Sequence, residues 1–205
     1  MDEWIEWLKG RALILLLSLI LGGWGVSAWL GRPLHPAPGV LVPEEPLQGP
    51  VEEGPPWAFR GNRIVPLADF EIRARVLSME RYRWDPEAKL CPLDLALGWG
   101  PMSDSAVLDH ITITQSDRWY HWRTSSSPPI PLGEISNHSA NMHMIPATPG
   151  IERTLKNFRV GQIVNLKGKL VRVEGSGGFR WNSSTTRTDT GDGSCELVWV
   201  ERAGP

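Results

Sequence analysis

The sequence is poor in cysteine: Cys91 and Cys195 are the only two in 205 residues. Two isolated cysteines give neither a disulfide framework nor a zinc-finger spacing. One bridge, Cys91–Cys195, remains possible because an exported protein meets oxidising conditions. In the chain-entropy model, a bridge across so long a loop stabilises a fold by up to roughly 4–5 kcal/mol. The bridge and the two free thiols stay open as alternatives.

The sequence also lacks a dense basic patch and any recognisable catalytic motif. The formal net charge is -2, and residues 59–205 are close to neutral. No Gly-x-Ser-x-Gly elbow surrounds Ser183 or Ser184, and the run 189–193 lacks the closing glutamate of a calcium loop. A polyanion-binding protein is therefore disfavoured. We predict no nucleic-acid partner, no cofactor, no metal and no catalytic residue, and we assign no enzyme activity.

What the sequence does contain is a stretch without a charged side chain, 12–30, which begins with the run ALILLLSLIL. As a helix it would be about 28 Å long, enough to cross a hydrocarbon core. Lys9 and Arg11 precede it, so the positive-inside rule places residues 1–11 in the cytoplasm. We predict a single-pass protein of the inner membrane, with a transmembrane signal-anchor helix and a periplasmic or other extracytoplasmic C-terminal domain.

A cleaved signal peptide is the alternative interpretation of the same stretch. Val26, Ser27 and Ala28 are small residues of the kind that a signal peptidase reads, which would place the cleavage after Ala28. Both interpretations export the rest of the chain, so the extracytoplasmic location does not depend on the choice between them.

The composition then changes twice. Residues 31–58 are rich in Pro and Glu and show no periodic pattern. Since Pro removes a backbone donor and restricts the residue before it, this segment is predicted to be an extended linker that holds the domain away from the bilayer. From residue 59 to residue 205 the pattern becomes that of an exported globular domain.

The most informative stretch of this domain is 159–174, RVGQIVNLKGKLVRVE. Val164, Leu166 and Leu170 follow a strand period, after which the apolar phase slips by one residue. A slip turns the wrong face to the core unless the strand bulges or bends, and Gly168 is where a bend costs least. A preceding helix is predicted from the capping Thr148 and from Pro149.

Two resemblances follow from these residues. The strand at 159–174 resembles the central strand of OB-fold proteins. The blocks LALGWGPMSD, TQSDRWYHW, HSANMHMIPA and DTGDGSCELVWV resemble those of uncharacterised small single-span bacterial envelope proteins. The second resemblance implies an anchored envelope protein and no activity. The predicted fold class is mainly β (or α+β): a small OB-like barrel or sandwich with one or two short helices, preceded by a single transmembrane helix.

Two polar clusters are candidate ligand-binding sites. In the run 118–123, Trp119, His121 and Arg123 share one strand face, and Trp122 lies on the other. Aromatic rings beside Arg form a stacking platform for a sugar, a nucleobase or a peptide. The second cluster combines three residues of the block 138–147, namely His138, Asn141 and His143.

Two functions remain open from these candidates. The first is a membrane-anchored, extracytoplasmic binding or accessory module that acts on an envelope protein partner or a small ligand. The second is a metal-assisted or His-dependent hydrolase of the cell envelope, which would use His138, His143 and a nearby aspartate such as Asp104 or Asp109. The spacing of the two histidines is neither a helical i, i+4 pair nor a zinc-finger spacing, which favours the binding module.

Overall fold

Strands dominate the computed structural model, which describes residues 31–51, 54–186 and 194–205. The strands are β1 (Leu47–Gly49), β2 (Trp57–Phe59), β3 (Asn62–Arg81), β4 (Leu93–Gly98), β5 (Ile111–Ser116), β6 (Trp119–Thr124), β7 (Ser139–Pro146), β8 (Ile163–Glu174), β9 (Arg180–Asn182) and β10 (Glu196–Gly204). The α-helices in these ranges are α1 (Ser105–Leu108), α2 (Leu132–Asn137) and α3 (Pro149–Lys156). Short 3₁₀ turns occupy Pro86–Lys89, Gly100–Ser103 and Ser176–Gly178.

A closed barrel is formed by five of these strands, of which β3 is the longest. The first half of β3 pairs with β8 and its second half pairs with β4. The circuit continues from β4 to β7, from β7 to β10 and from β10 back to β8. All of these pairings are antiparallel except that of β7 with β10, which is parallel. The hairpin of β5 and β6 forms a separate two-stranded sheet.

The apolar phase of β8 slips because the two halves of the strand contribute side chains to different buried clusters. Leu166 and Leu170 belong to the largest buried cluster, whereas Val171 and Val173 belong to a second cluster with Trp199. The strand is therefore covered on one face in its first half and on the other face in its second half. The expected bulge lies in the neighbouring strands instead, where the register shifts between Pro66 and Ala68 in β3 and between Val200 and Arg202 in β10.

Helix α3 and strand β6 form where the sequence predicts them. The Thr148 hydroxyl accepts a hydrogen bond from the amide of Ile151 at 3.2 Å, and Leu155 is fully buried. The predicted strand at 118–123 is confirmed as β6, which pairs with β5. The block 138–147, which shows no clear pattern, contains the central strand β7.

The Pro-rich segment packs on the barrel where it is described. The compact unit begins at Leu34, whose amide donates to the carbonyl of Val160 at 2.7 Å. Val42 is fully buried in the main core, and β1 pairs with β3. The sequence predicts an extended spacer at 31–58, and the observed packing of the segment differs from that prediction. A chain poor in amide donors can still bury an apolar side chain and pair at a sheet edge.

The predicted fold class must be corrected. It placed a single transmembrane helix before the domain and allowed one or two short helices. Within 31–51, 54–186 and 194–205, no helix is long and apolar enough to span a membrane. The same ranges contain three short α-helices, and the described chain is mainly β. The predicted span at 12–30 lies outside the described residues.

Replacement of Gly168 tests the closure of the barrel. A Cβ atom at this position would meet the carbonyl oxygen of Trp199 at 1.8 Å, so β8 and β10 must separate. We expect Gly168→Ala to lower the free energy of unfolding in urea by about 3 kcal/mol. Gly49→Ala in strand β1 is the matched control, since a Cβ atom there meets nothing within 4 Å. Equal stability of the two variants would contradict the close approach.

Candidate functional site

A buried carboxylate and a buried imidazole face each other across two barrel strands. Asp94 in β4 and His143 in β7 are direct cross-strand partners, so their side chains lie on one face. The distance from His143 Nδ1 to Asp94 Oδ2 is 2.9 Å, and both side chains are almost completely buried. Neither atom has a hydrogen-bond partner within the described ranges, because the contact between them is not aligned as a hydrogen bond.

The guanidinium of Arg118 supplies the opposite charge. It lies 3.1 Å from Asp94 Oδ1 and 2.8 Å from Asp85 Oδ1. It also stacks on the ring of Tyr82, with its central carbon 3.7 Å from the ring centroid. Burial lowers the pKa of Arg118, but Cys91, Asp94 and Asp85 raise it by more. Arg118 therefore stays charged inside a largely apolar setting.

The backbone that presents Arg118 is strained. Asp117 and Arg118 form the turn between β5 and β6, and both have a positive φ, 51° and 69°. Non-glycine residues rarely adopt this region, and hairpin turns of this kind favour Asn-Gly. Two side chains hold the turn in place: Tyr82 Oη accepts from the Arg118 amide at 3.1 Å, and Asn141 Nδ2 donates to the Arg118 carbonyl at 3.1 Å.

The thiol of Cys91 completes the buried group. Cys91 is fully buried, and its Sγ lies 3.6 Å from Asp94 Oδ1. One ligand atom each from Cys91, Asp94 and His143 lies within 4.8 Å of the others. Burial, and after it the charge of Asp94, raises the pKa of the Cys91 thiol well above its usual value. The thiol is therefore protonated in the absence of a cation, and it is not a nucleophile.

A cleft of about 440 Å³ opens beside this group. His143, Arg118 and Cys195 lie on its wall, which is otherwise lined by Glu87, Trp119, Phe179, Arg180, Trp181 and Asn182. The indole of Trp181 packs on the imidazole of His143, with ring centroids 4.8 Å apart. Trp119 and Phe179 are each 38% exposed, which leaves two aromatic faces open to a ligand.

A larger groove of about 530 Å³ lies along β3 and β8 and is a poorer candidate. Its two lysines already pair with carboxylates: Lys167 with Glu71 at 2.9 Å, and Lys169 with Asp69 at 2.5 Å. Because these pairs are at the surface, they offer little unsatisfied charge to a ligand.

The structure divides the predicted aromatic strand between two roles. Of its four candidate ligand-binding residues, only Trp119 lines the cleft. His121 and Arg123 are exposed and are not among the lining residues of the cleft. Trp122 faces the opposite way and packs on a buried cluster that contains Met102. One face of β6 therefore belongs to a buried core.

The two predicted histidines are not brought together. His138 follows α2, where Nε2 lies 3.3 Å from Glu45 Oε1 and Nδ1 lies 3.3 Å from Glu134 Oε2. His143 is buried against Asp94. Asp104 is committed elsewhere, since its carboxylate caps α1 through the amide of Ala106 at 2.8 Å.

The remaining predicted residues belong to the surroundings of the buried group. Asn141 accepts from Gln115 Nε2 at 2.6 Å and donates to the Arg118 turn. The structure does not contain the Cys91–Cys195 bridge. Cys195 Sγ lies 3.9 Å from Asn141 Nδ2, near the mouth of the cleft.

Two residues of the buried group carried a signal in the sequence. Asp94 interrupts an apolar run, and a carboxylate in a fully buried strand is rare unless it is paired. Arg118 follows Asp117 in a turn where glycine is expected. Trp181 had no distinguishing pattern, because its position depends on the pairing of β9 with β8.

The chain matches no family model, no curated protein and no solved structure. The resemblance to single-span bacterial envelope proteins therefore stays a prediction.

We expect that removal of the Arg118 charge destabilises the fold. In Arg118→Met the carboxylate of Asp94 remains buried without its cation, so the free energy of unfolding should fall by about 3–5 kcal/mol. Arg123→Met in the same hairpin is the control, since Arg123 is exposed and should change stability by about 0.5 kcal/mol or less. Urea unfolding measures both, and similar losses would contradict the role of Arg118.

The two tyrosines of the chain should ionise at a higher pH than a free tyrosine does. Burial raises the pKa of Tyr120 to about 12, although its hydrogen bond with Ser139 opposes the shift. Burial, and after it Asp94, raises the pKa of Tyr82 even more. A raised pKa means that the folded state holds the proton more tightly, so this stability is present below the ordinary pKa of about 10 and is lost as the pH rises further.

The measurement is tyrosinate absorbance after a rapid jump to about pH 11, compared in the folded chain and in urea. We expect both tyrosines to be ionised in urea and mostly protonated in the folded chain. Equal absorbance immediately after the jump would refute the burial of the phenols.

Proposed function

We propose that the domain is a non-catalytic, extracytoplasmic binding module for an acidic saccharide of the cell envelope. The observation that carries this proposal is the cleft beside Asp94 and His143, with open aromatic faces at Trp119 and Phe179. Its ligand is a sugar with a flat apolar face and a carboxylate.

The position of the cleft on the barrel supports a binding role. In the order of the five barrel strands, Asp94 and His143 lie on the second and third. Glu87 lies in the loop between the first and second strands, and Trp181 lies between the fourth and fifth. Five-stranded Greek-key barrels of the OB type bind oligosaccharides and oligonucleotides with this face and these two loops. Fold likeness alone is weak support, so the proposal depends on the side chains.

The walls of the cleft match a sugar acid. Pyranose rings stack on indole faces, and Trp181 is held in place by its contact with His143. The charged side chains of the lining are Arg118, Arg180 and Glu87. Arg118 is occupied by Asp85 and Asp94, so Arg180 is the cation for a ligand carboxylate.

Two arguments separate this function from the alternatives. A hydrolase that uses His138 and His143 together lacks support, since His138 pairs with Glu45 and Glu134 away from Asp94. Nucleic-acid binding lacks the dense basic surface that a polyanion requires. The charge asymmetry around residues 12–30 is the reason to place the domain outside the cytoplasm.

The test is calorimetric titration of the full chain with a disaccharide that contains N-acetylmuramic acid. We expect binding, and we expect Trp181→Ala to weaken it by about tenfold or more because a stacking face is lost. Trp84→Ala is the matched control, since Trp84 is 94% exposed and lies outside the cleft lining. Neutral chitobiose should bind more weakly, because it leaves Arg180 without a carboxylate.

Three results would contradict the proposal. They are no heat of binding with the acidic sugar, equal losses in the two tryptophan variants, or tighter binding of an oligothymidylate than of the sugar. The location is tested separately: alkaline phosphatase fused after Pro205 should be active, and an inactive fusion would refute an extracytoplasmic domain.

A further inference from the structure

The buried group beside the cleft has the donor set of a metal site. Cys91 offers a sulfur, Asp94 an oxygen and His143 a nitrogen, and the three atoms lie within 4.8 Å of one another. Tetrahedral Zn²⁺ with bonds of about 2.0–2.3 Å requires its ligand atoms to be about 3.3–3.6 Å apart. The observed group is close to this size: the pair of His143 Nδ1 and Asp94 Oδ2, now 2.9 Å apart, must open slightly, and the sulfur of Cys91 must approach them.

We propose that Cys91, Asp94 and His143 bind a divalent transition-metal ion, with Zn²⁺ as the best match to their mixed sulfur, nitrogen and oxygen donors. Such ions favour thiolate and imidazole ligands, whereas Mg²⁺ and Ca²⁺ favour oxygen alone. The proposal does not depend on the saccharide.

The two closest donor atoms are both left without a hydrogen bond within the described part of the chain. His143 Nδ1 and Asp94 Oδ2 are 2.9 Å apart, yet neither has a hydrogen-bond partner in the described ranges. A buried polar atom left in this state costs about 1–3 kcal/mol. A cation bound by both lone pairs removes the cost for both atoms at once.

The charge of the surroundings also favours a cation. Asp85 and Asp94 carry two negative charges against the single positive charge of Arg118, which leaves one negative charge. When a divalent ion binds and Cys91 loses its proton, the group becomes neutral. The proton released from Sγ passes to solvent, as is usual when a thiol becomes a metal ligand.

Arg118 fits the role of an outer partner in such a site. Its guanidinium contacts Asp94 Oδ1, which leaves Oδ2 on the side of His143. Outer partners of this kind fix the orientation of a metal-binding carboxylate. Since His143 also lies on the cleft wall, a water molecule or a ligand oxygen from the cleft is the natural fourth ligand.

A protonated His143 paired with Asp94 is the competing explanation, because an imidazolium also neutralises the group. It predicts no affinity for metal ions. The two explanations are distinguished by loading the full chain, purified with a chelator and a reductant, with Co²⁺ and then with Zn²⁺.

We expect one Co²⁺ per chain, with a thiolate-to-cobalt charge-transfer band and the intense visible bands of tetrahedral cobalt, all displaced by Zn²⁺. Cys91→Ser should lose the charge-transfer band and lower the affinity by about 100-fold or more. Cys195→Ser should retain both, because Cys195 is not part of the three-residue group. The cobalt bands are measured without a saccharide, so a failure of the saccharide proposal leaves this one intact.

A measurement on the unaltered chain guards against variants that do not fold. Zn²⁺ should raise the midpoint of thermal unfolding by an amount that grows with the logarithm of its concentration relative to its dissociation constant, whereas Mg²⁺ should not. Absence of stoichiometric cobalt binding, or equal loss of the charge-transfer band in the two cysteine variants, would overturn the proposal. A midpoint that does not respond to Zn²⁺ would also overturn it and would favour the imidazolium.

Discussion

The carboxylate of Asp94 is a fully buried charge around which two barrel strands and a hairpin are arranged. A charge in this position costs several kcal/mol unless it is compensated. The compensating positive charge is that of Arg118, which lies in the strained turn between β5 and β6 and contacts Asp94. Tyr82 and Asn141 hold that turn, and Asn141 belongs to the same strand as His143. The hairpin is thus attached to the barrel by this electrostatic contact, by its supporting hydrogen bonds and by its apolar face, which packs on the cluster that contains Met102.

The local parts of the fold were predictable because their signals are local. A capping hydroxyl followed by proline marks α3, and alternating residues mark the hairpin strands. The phase slip in β8 was visible too, but its cause was not. Leu170 faces one core and Val171 faces another, and a strand covered on both faces has no single period. The Pro-rich segment was misleading because it has no apolar period, although Val42 is buried in the main core and Leu41 packs against it.

The site was less predictable because it depends on register. Asp94 and His143 are almost 50 positions apart in sequence, and only the pairing of β4 with β7 makes them neighbours. A register displaced by one residue would place them on opposite faces. The sequence drew attention to the aromatic run in β6, of which Trp119 alone reaches the cleft. The more useful signal was the single acidic residue in the apolar strand β4.

The long pairing between β3 and β8 also has a kinetic consequence. Arg63 and Glu174, which form an ion pair at one end of it, are 111 positions apart in the chain. The entropy lost in bringing such distant segments together precedes most of the energy gained from their contacts. Helix α3 and the β5–β6 hairpin require only near neighbours, so they can form early. Barrel closure is then the slow step, and until it occurs the open edges of β3 and β8 are the part of the chain most exposed to aggregation.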